Sequence, residues 1–333
     1  MLGVGILNTS IGSGNLGDQI IMNAATEVVE KLLPKTQKVH FSSHDAFLYN
    51  ACRLQSHVEY NFLCGTNCLS SNMLLRPGWA ITAFSAFFIK PVVTLGVGWG
   101  GYQSEPDAYT RLILNKTLSK QGLLSVRDNY TKLKLESCGF TNVLNTGCPT
   151  MWGLTEEHCD SVPKFQGKEV VYTLTDYARN EELDVRTINV LINNYDAIYI
   201  WIQGTRDLAY LGDLFKNNST IFNKIKLIPP SLSAYEKFLE RNDVDYVGTR
   251  LHGGIYALQK KKRTIILAVD NRAEEMRRDF NIPVLKRVDI EGLEELIRSE
   301  WGVAISLPEK CINEFKNSIR DIKYGELEDV PYV

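Results

Sequence analysis

Apolar runs of strand length alternate with segments of helical period along almost the whole chain. In the first half the strand runs are Leu2–Leu7, Lys38–Phe41, Glu59–Leu63, Pro91–Val97, Leu123–Val126 and Asn142–Leu144. Helical periods cover about Asp18–Leu33 and Asn129–Cys138. In the second half Glu169–Leu174, Ala197–Ile202, Ile225–Ile228, Asp245–Val247 and Thr264–Val269 read as strands. Helices fall near Glu181–Asn194, Ser233–Glu240 and Leu251–Lys260. Val170-Val-Tyr-Thr-Leu174 and Ile198-Tyr-Ile-Trp-Ile202 do not alternate with polar residues, so both faces of these strands are buried. That is the signature of a parallel sheet covered by helices on either side. The expected fold class is therefore α/β, with two Rossmann-like doubly wound domains facing a cleft. The stretch Gly147–Gly167 carries turn residues, two prolines and no sustained period, and reads as the interdomain linker. The expected division is an amino-terminal domain over 1–150 and a carboxyl-terminal domain over 165–310. The carboxyl-terminal segment 311–333, with a helical pattern that runs from Pro308 to Tyr324, is the candidate to pack back across their junction.

Composition narrows the function more than the fold. At 333 residues the chain exceeds what one hydrophobic core usually supports, which agrees with two domains. A net charge of −2, with no domain-wide basic patch, leaves no footprint for nucleic acid. Seven cysteines at irregular spacing argue against a disulfide framework and for a reducing cytoplasm. Cys64 and Cys68 read as small buried residues rather than metal ligands. The chain opens directly on a strand, so no signal peptide is expected. Its most apolar stretch, Trp79 to Ile89, stops at Lys90-Pro91 and is too short to span a bilayer. It reads as a buried helix, with at most a peripheral membrane contact.

Candidate chemistry sits where strands run into helices. In Asp245-Tyr-Val-Gly-Thr-Arg-Leu-His-Gly-Gly-Ile255, Arg250 and His252 occupy such a turn. Free N–H groups and the helix dipole point there, and a fixed cation beside a group titrating near neutrality suits an anionic substrate that needs proton transfer. The first strand leads into a turn with Gly12, Gly14 and Gly17, but no acidic residue follows the second strand (Val39-His-Phe-Ser-Ser43), which disfavours a nicotinamide cofactor. Asp18 either caps the first helix or joins Asn15 in positioning a substrate hydroxyl. In Ser125-Val-Arg127-Asp128, the aspartate can cap the next helix and the arginine can pair with it or bind an anion. Histidines 40, 44, 57 and 158 lack the paired spacing of a metal site, so no metal is expected. Tyr199 and Trp201 read as sheet core. Trp99, between glycines, is the aromatic candidate for an acceptor surface. The run Lys260-Lys-Lys-Arg263 ends a helix and reads as solvated surface.

Four motifs in order resemble the polysaccharide pyruvyl transferases: Asn15-Leu-Gly17-Asp18, Ser125-Val-Arg127-Asp128, Thr146-Gly-Cys148-Pro149 and Gly248-Thr-Arg250-Leu-His252-Gly253. The resemblance implies a glycosyltransferase-B-like pair of domains, phosphoenolpyruvate as donor, and a saccharide or lipid-linked saccharide as acceptor. The product would be a pyruvate ketal bridging two hydroxyls of one sugar. No cofactor is implied; phosphoenolpyruvate is a co-substrate. In this reading His252 is the acid–base, Arg250 and Asp18 complete the catalytic set, and Arg127, Arg250, Thr249, Gly253 and Arg272 hold the donor. Asn15, Asp18 and Trp99 face the acceptor. Many members of the family carry Asp where this chain has Cys148, which reads as a packed cysteine, and often a lysine where it has Asn271-Arg272. The alternative is a nucleotide-sugar-dependent glycosyltransferase of the same two-domain fold, in which Asp270 would be the ribose carboxylate. A carbohydrate-binding member without chemistry is a third reading, opposed by the joint presence of Arg127, Arg250 and His252.

Overall fold

The computed structural model describes residues 3–47, 49–76, 78–216 and 223–320, and every strand pairing among them is parallel. The chain divides into two units. The described residues of the first are 3–13, 21–47, 49–76, 78–149 and 308–320, and those of the second are 14–20, 150–216 and 223–307.

In the first unit the strands β1 (Gly3–Asn8), β2 (Gln37–Ser42), β3 (Val58–Cys64) and β4 (Val92–Leu95) lie in the order β2-β1-β3-β4. The pair β5 (Leu124–Val126) and β6 (Val143–Asn145) follows beyond β4, joined to its end by a Val97–Val126 bridge and by the Gly96 N–H donating to the Ser125 carbonyl. Helices Ala108–Thr117 and Asn129–Ser137 belong to this unit, and helix Glu309–Arg320 lies against β6. Its core collects Leu7, Leu63, Val92, Val97, Val126 and Trp99.

The second unit holds β7 (Glu169–Thr173), β8 (Ala197–Trp201), β9 (Ile225–Ile228), β10 (Val244–Gly248), β11 (Thr264–Ala268) and β12 (Val284–Lys286) in the order β12-β11-β10-β7-β8-β9. The chain enters at β7 in the middle, runs outward to β9, crosses back, and runs outward again from β10. Between β7 and β10 the direction reverses, so consecutive crossovers leave on opposite faces and open a crevice at the strands' carboxyl ends. The register Gly248↔Thr173 brings those two ends level.

The strands foreseen from sequence are present, shifted by a residue or two at their ends. Leu2 and residues 321–324 of the expected tail lie outside the described residues. Three differences carry physical content. The first helix starts at Leu16 rather than Asp18, and the segment Gly14–Ile20 belongs with the second unit instead of the first. It is held there by hydrogen bonds from Leu16 N–H to the Gln203 carbonyl and from Thr205 N–H to the Gly14 carbonyl. The linker contains the boundary at 149/150 but also a short helix, Glu156–Asp160. Finally, Trp79–Ile89 is not a buried helix. It is irregular chain with one 3₁₀ turn, Ser85–Phe87. Thr82 and Ser85 exchange bonds between each other's N–H and hydroxyl groups, which starts a helical turn, and Lys90-Pro91 stops it after that single turn. Among the described residues no helix is long and apolar enough to cross a membrane.

Gly248 sits where β10 meets β7, and a Cβ there would come within 2.8 Å of the Thr173 backbone nitrogen and oxygen. The ladder cannot yield without breaking, so Gly248→Ala should lower stability by roughly 1–3 kcal/mol, read as a lower urea midpoint at unchanged slope.

Candidate active site

The carboxyl ends of four neighbouring strands in the second unit each deliver polar side chains. After β7 come Asp176 and Tyr177; after β8, Gln203 to Asp207; after β10, Thr249, Arg250 and the helix Leu251–Gln259 with His252 and Gly253. After β11 comes Asp270, whose carboxylate caps the helix Asn271–Phe280 by accepting from the Arg272 N–H at 3.0 Å.

Arg250 is buried, and carboxylates surround its fork. Its Nε donates to the Leu174 carbonyl at 3.1 Å and to Asp207 Oδ2 at 3.1 Å; its Nη2 donates to Asp176 Oδ1 at 3.1 Å and to Asp207 Oδ1. Asp207 also accepts from the Gly204 N–H at 2.7 Å and the Asp176 N–H at 3.1 Å. Burial pushes the Asp207 carboxyl above its ordinary value, with Arg250 and the two backbone donors pulling it back. The Tyr177 ring lies 5.2 Å from the Arg250 guanidinium carbon and 5.8 Å from that of Arg272. The Arg272 Nη2 donates to the Tyr177 hydroxyl, and its Nε to both oxygens of Asp270 at 3.2 and 3.0 Å. Burial opposes the Arg272 charge, yet Tyr177, Asp270 and Asp18 together hold its pKa above the ordinary arginine value.

The segment Gly14–Ile20 joins this edge. Asn15 Oδ1 accepts from the Gly17 N–H at 3.1 Å and from Gln203 Nε2 at 2.8 Å, so Asn15 is the residue that caps the helix. Asp18 is the third helical residue, buried and within electrostatic reach of Arg272, and is not the cap. Gln203 is a hinge of the arrangement: its Oε1 is buried without a hydrogen-bond partner, and a Cβ on Gly253 would lie 2.7 Å from it. Gly17 has the same reason to be glycine, since a Cβ there would lie 2.7 Å from Gln203 Nε2. His252 is the second residue of its helix and is buried. Thr249 is tied into the sheet, its hydroxyl 2.8 Å from that of Thr175 and its N–H donating to the Thr173 carbonyl.

The remaining sequence candidates belong to the first unit. Arg127, at the end of β5, is fully buried, with Nε donating to Asp128 Oδ2 at 3.1 Å. Asp128 Oδ1 accepts from the Thr131 N–H at 2.8 Å and so caps the helix Asn129–Ser137. Pairing and capping are thus both present, yet neither Arg127 Nη1 nor Nη2 makes a hydrogen bond, although Nη2 lies 3.1 Å from Asp128 Oδ2. Trp99 is a correction. It is fully buried in the core, with its indole N–H donating to Ser71 Oγ at 3.2 Å and its backbone N–H to Thr131 Oγ1, so its ring offers no face to a sugar. Cys148 is fully buried as well, which suits packing. Trp201 is sheet core, stacked on Tyr235 at 3.9 Å between ring centroids. Among the described residues no cluster of His, Cys, Asp or Glu could hold a metal ion.

Sequence reasoning overlooked Asp176, Tyr177 and Asp207 and gave Gln203 no role of its own. A signal for Asp207 was available. Gly204-Thr205-Arg206 repeats the tripeptide Gly248-Thr249-Arg250, and both follow strands at the same topological position.

The family model described as polysaccharide pyruvyl transferase matches residues 15–271. No curated protein matches the chain in sequence. Among solved structures, UDP-GlcNAc 2-epimerase from Methanocaldococcus jannaschii, in complex with UDP-GlcNAc and UDP, is 14% identical with a TM-score of 0.54, covering 96% of this chain and 98% of that one. UDP-N-acetylglucosamine 2-epimerase from Rickettsia bellii is 11% identical with a TM-score of 0.57, covering 96% and 94%. At such identities the likeness identifies the fold, a glycosyltransferase-B-like pair of Rossmann-type units, and no activity.

Removing Asp207 takes from the buried Arg250 a carboxylate bonded to both its Nε and its Nη2, leaving Asp176 on Nη2. Asp207→Ala should therefore destabilise the protein by about 3–5 kcal/mol, with Asp207→Asn, which keeps an acceptor, losing visibly less in parallel urea titrations.

Proposed function

Because the chain belongs to the polysaccharide pyruvyl transferase family, we propose that it transfers the pyruvyl group of phosphoenolpyruvate onto two hydroxyls of one sugar. The resulting ketal would form part of a surface or exopolysaccharide, such as a capsule, or of its precursor. The observation that carries this reading is the convergence of Asn15, Asp18, Arg250, His252 and Arg272 on one sheet edge at its topological reversal. Four of these five lie in the motifs that resemble the family.

The chemistry asks for a proton at the methylene carbon of the donor. Protonation makes the enol carbon electrophilic, and one sugar hydroxyl adds to it while losing its proton. The carbon–oxygen bond to phosphate then breaks, and a second hydroxyl of the same sugar adds and loses its proton, closing the ketal and leaving inorganic phosphate. His252 is the proposed proton donor, and Asp18 the acceptor of a hydroxyl proton. Arg127 is assigned to a donor anion because its two terminal nitrogens are buried without hydrogen bonds. Arg250 and Arg272 meet four carboxylates, those of Asp18, Asp176, Asp207 and Asp270. An incoming anion there exchanges carboxylate partners instead of filling an empty cradle. Thr249 contributes to donor binding by fixing the turn, and Gly253 lies in the first turn of the helix Leu251–Gln259, whose positive end favours an anion.

A nucleotide-sugar-dependent glycosyltransferase would need a carboxylate for the ribose. The one sequence candidate, Asp270, is held on both oxygens by Arg272, which weighs against that reading.

The test incubates purified protein with phosphoenolpyruvate or a UDP-sugar and a panel of saccharide acceptors. Phosphate release with an acceptor mass increase of one pyruvate ketal is expected; UDP release without it would overturn the proposal. His252→Ala should lower kcat by roughly 10²–10⁴-fold. Arg127→Gln should instead act mainly on KM for phosphoenolpyruvate, raising it about tenfold or more, in line with the loss of one charge-assisted bidentate contact.

A further inference from the structure

The chain between Gly78 and Lys90 folds so that three phenylalanines face solvent. Phe84, Phe87 and Phe88 are 68%, 73% and 49% exposed, while Trp79, Ile81, Ala86 and Ile89 are buried beneath them. The rings of Phe84 and Phe88 lie 5.0 Å apart, and the Lys116 ammonium lies 5.0 Å from the Phe87 ring centroid. Leu112, 64% exposed, precedes Lys116 by one turn on the outward face of helix Ala108–Thr117 and extends the apolar surface. The segment is anchored to this helix by the Ala83 N–H, which donates to the Tyr109 hydroxyl at 3.2 Å. Just before it, exposed Leu74 and Leu75 follow Met73, whose N–H donates to Thr110 Oγ1 of the same helix at 2.9 Å.

Aromatic and aliphatic side chains held outward together are unusual on a free surface and mark a place of contact. Charge says what kind. Residues 60–104 contain no Asp or Glu, whereas Arg76 and Lys90 fall within this stretch and both are exposed. Lys116 adds a third cation, against an aromatic ring. Aromatic side chains favour the headgroup level of a bilayer, and nearby lysines and arginines without carboxylates favour anionic lipids. We propose that Phe84, Phe87, Phe88 and Leu112 form a docking surface that enters the interfacial layer of an anionic membrane, with Arg76, Lys90 and Lys116 against its headgroups. The surface lies in the first unit and does not depend on the reaction proposed above. It is a peripheral attachment: the exposed apolar residues come from one irregular turn and one helix face.

The test is co-sedimentation of the full-length protein with vesicles of phosphatidylcholine alone or mixed with phosphatidylglycerol. Binding is expected to the mixed vesicles, more weakly to phosphatidylcholine, and less at high salt. The triple variant Phe84→Ser, Phe87→Ser, Phe88→Ser should lower partitioning by roughly tenfold or more, with an unchanged thermal melt to show that the fold survives. Lys90→Glu with Lys116→Glu should abolish the preference for phosphatidylglycerol. Absence of binding to the mixed vesicles, or partitioning unaltered in the triple variant, would overturn the proposal. So would a concentration-dependent dimer in sedimentation velocity that the triple variant loses, since the surface would then belong to a second copy of the chain.

Discussion

The Arg250 guanidinium lies buried at the ends of parallel strands, and a cation in such a place is stable only if carboxylates and carbonyls come to meet it. Much of the second unit's functional edge follows from that requirement. Asp207 arrives from the turn after β8, Asp176 and the Leu174 carbonyl from the chain after β7, and each bonds to the same fork. Gly204 must lack a side chain, because a Cβ there would run into the guanidinium. The Tyr177 ring beside Arg250 then reaches Arg272 through its hydroxyl, which links the turns after β7, β10 and β11. The turns are tied together because a charge that cannot be hydrated must be satisfied from several strands at once.

Arginine–carboxylate pairs recur across both units, but they differ in how far they reach along the chain. Arg127 pairs with its neighbour Asp128, and Arg272 with Asp270 two residues before it. Arg250 pairs with Asp207, Arg263 with Asp245, and Arg287 with Asp184 over much longer separations. Local pairs fix a turn and its helix cap in one step. Distant pairs pin strands together, and these are the ones whose loss should be felt as global stability. A site that binds anions through arginines already paired in this way trades affinity for alignment, since the fork is oriented before the ligand arrives.

Hydrophobic pattern alone misread Trp79–Ile89 for a specific reason. A continuous apolar run does not state which side is covered, and here only alternate parts of it are. The Thr82–Ser85 exchange of hydrogen bonds closes the chain into a turn and leaves the phenylalanines outward. Trp99 was misread in the opposite sense: flanking glycines suggested an open mouth, whereas they let the chain fold tightly over a fully buried indole. Of the two roles open to Asp18, the cap falls to Asn15 instead, whose side-chain oxygen accepts from the Gly17 N–H.

The sequence by itself determined the parallel α/β fold, most strand positions, the strand-to-helix turns carrying Arg127, Arg250 and His252, and the family. These depend on local quantities: the period of apolar positions, the turn residues after each strand, and short ordered motifs. Only the tertiary structure decided that Gly14–Ile20 joins the second unit, that Gln203 separates Asn15 from Gly253, and that Asp176 and Asp207 flank Arg250. Those relations depend on which strand lies beside which. Strand order is set by the packing of the whole sheet, and residues far apart in the chain, such as Asp176 and Arg250, become partners only once β7 and β10 are neighbours.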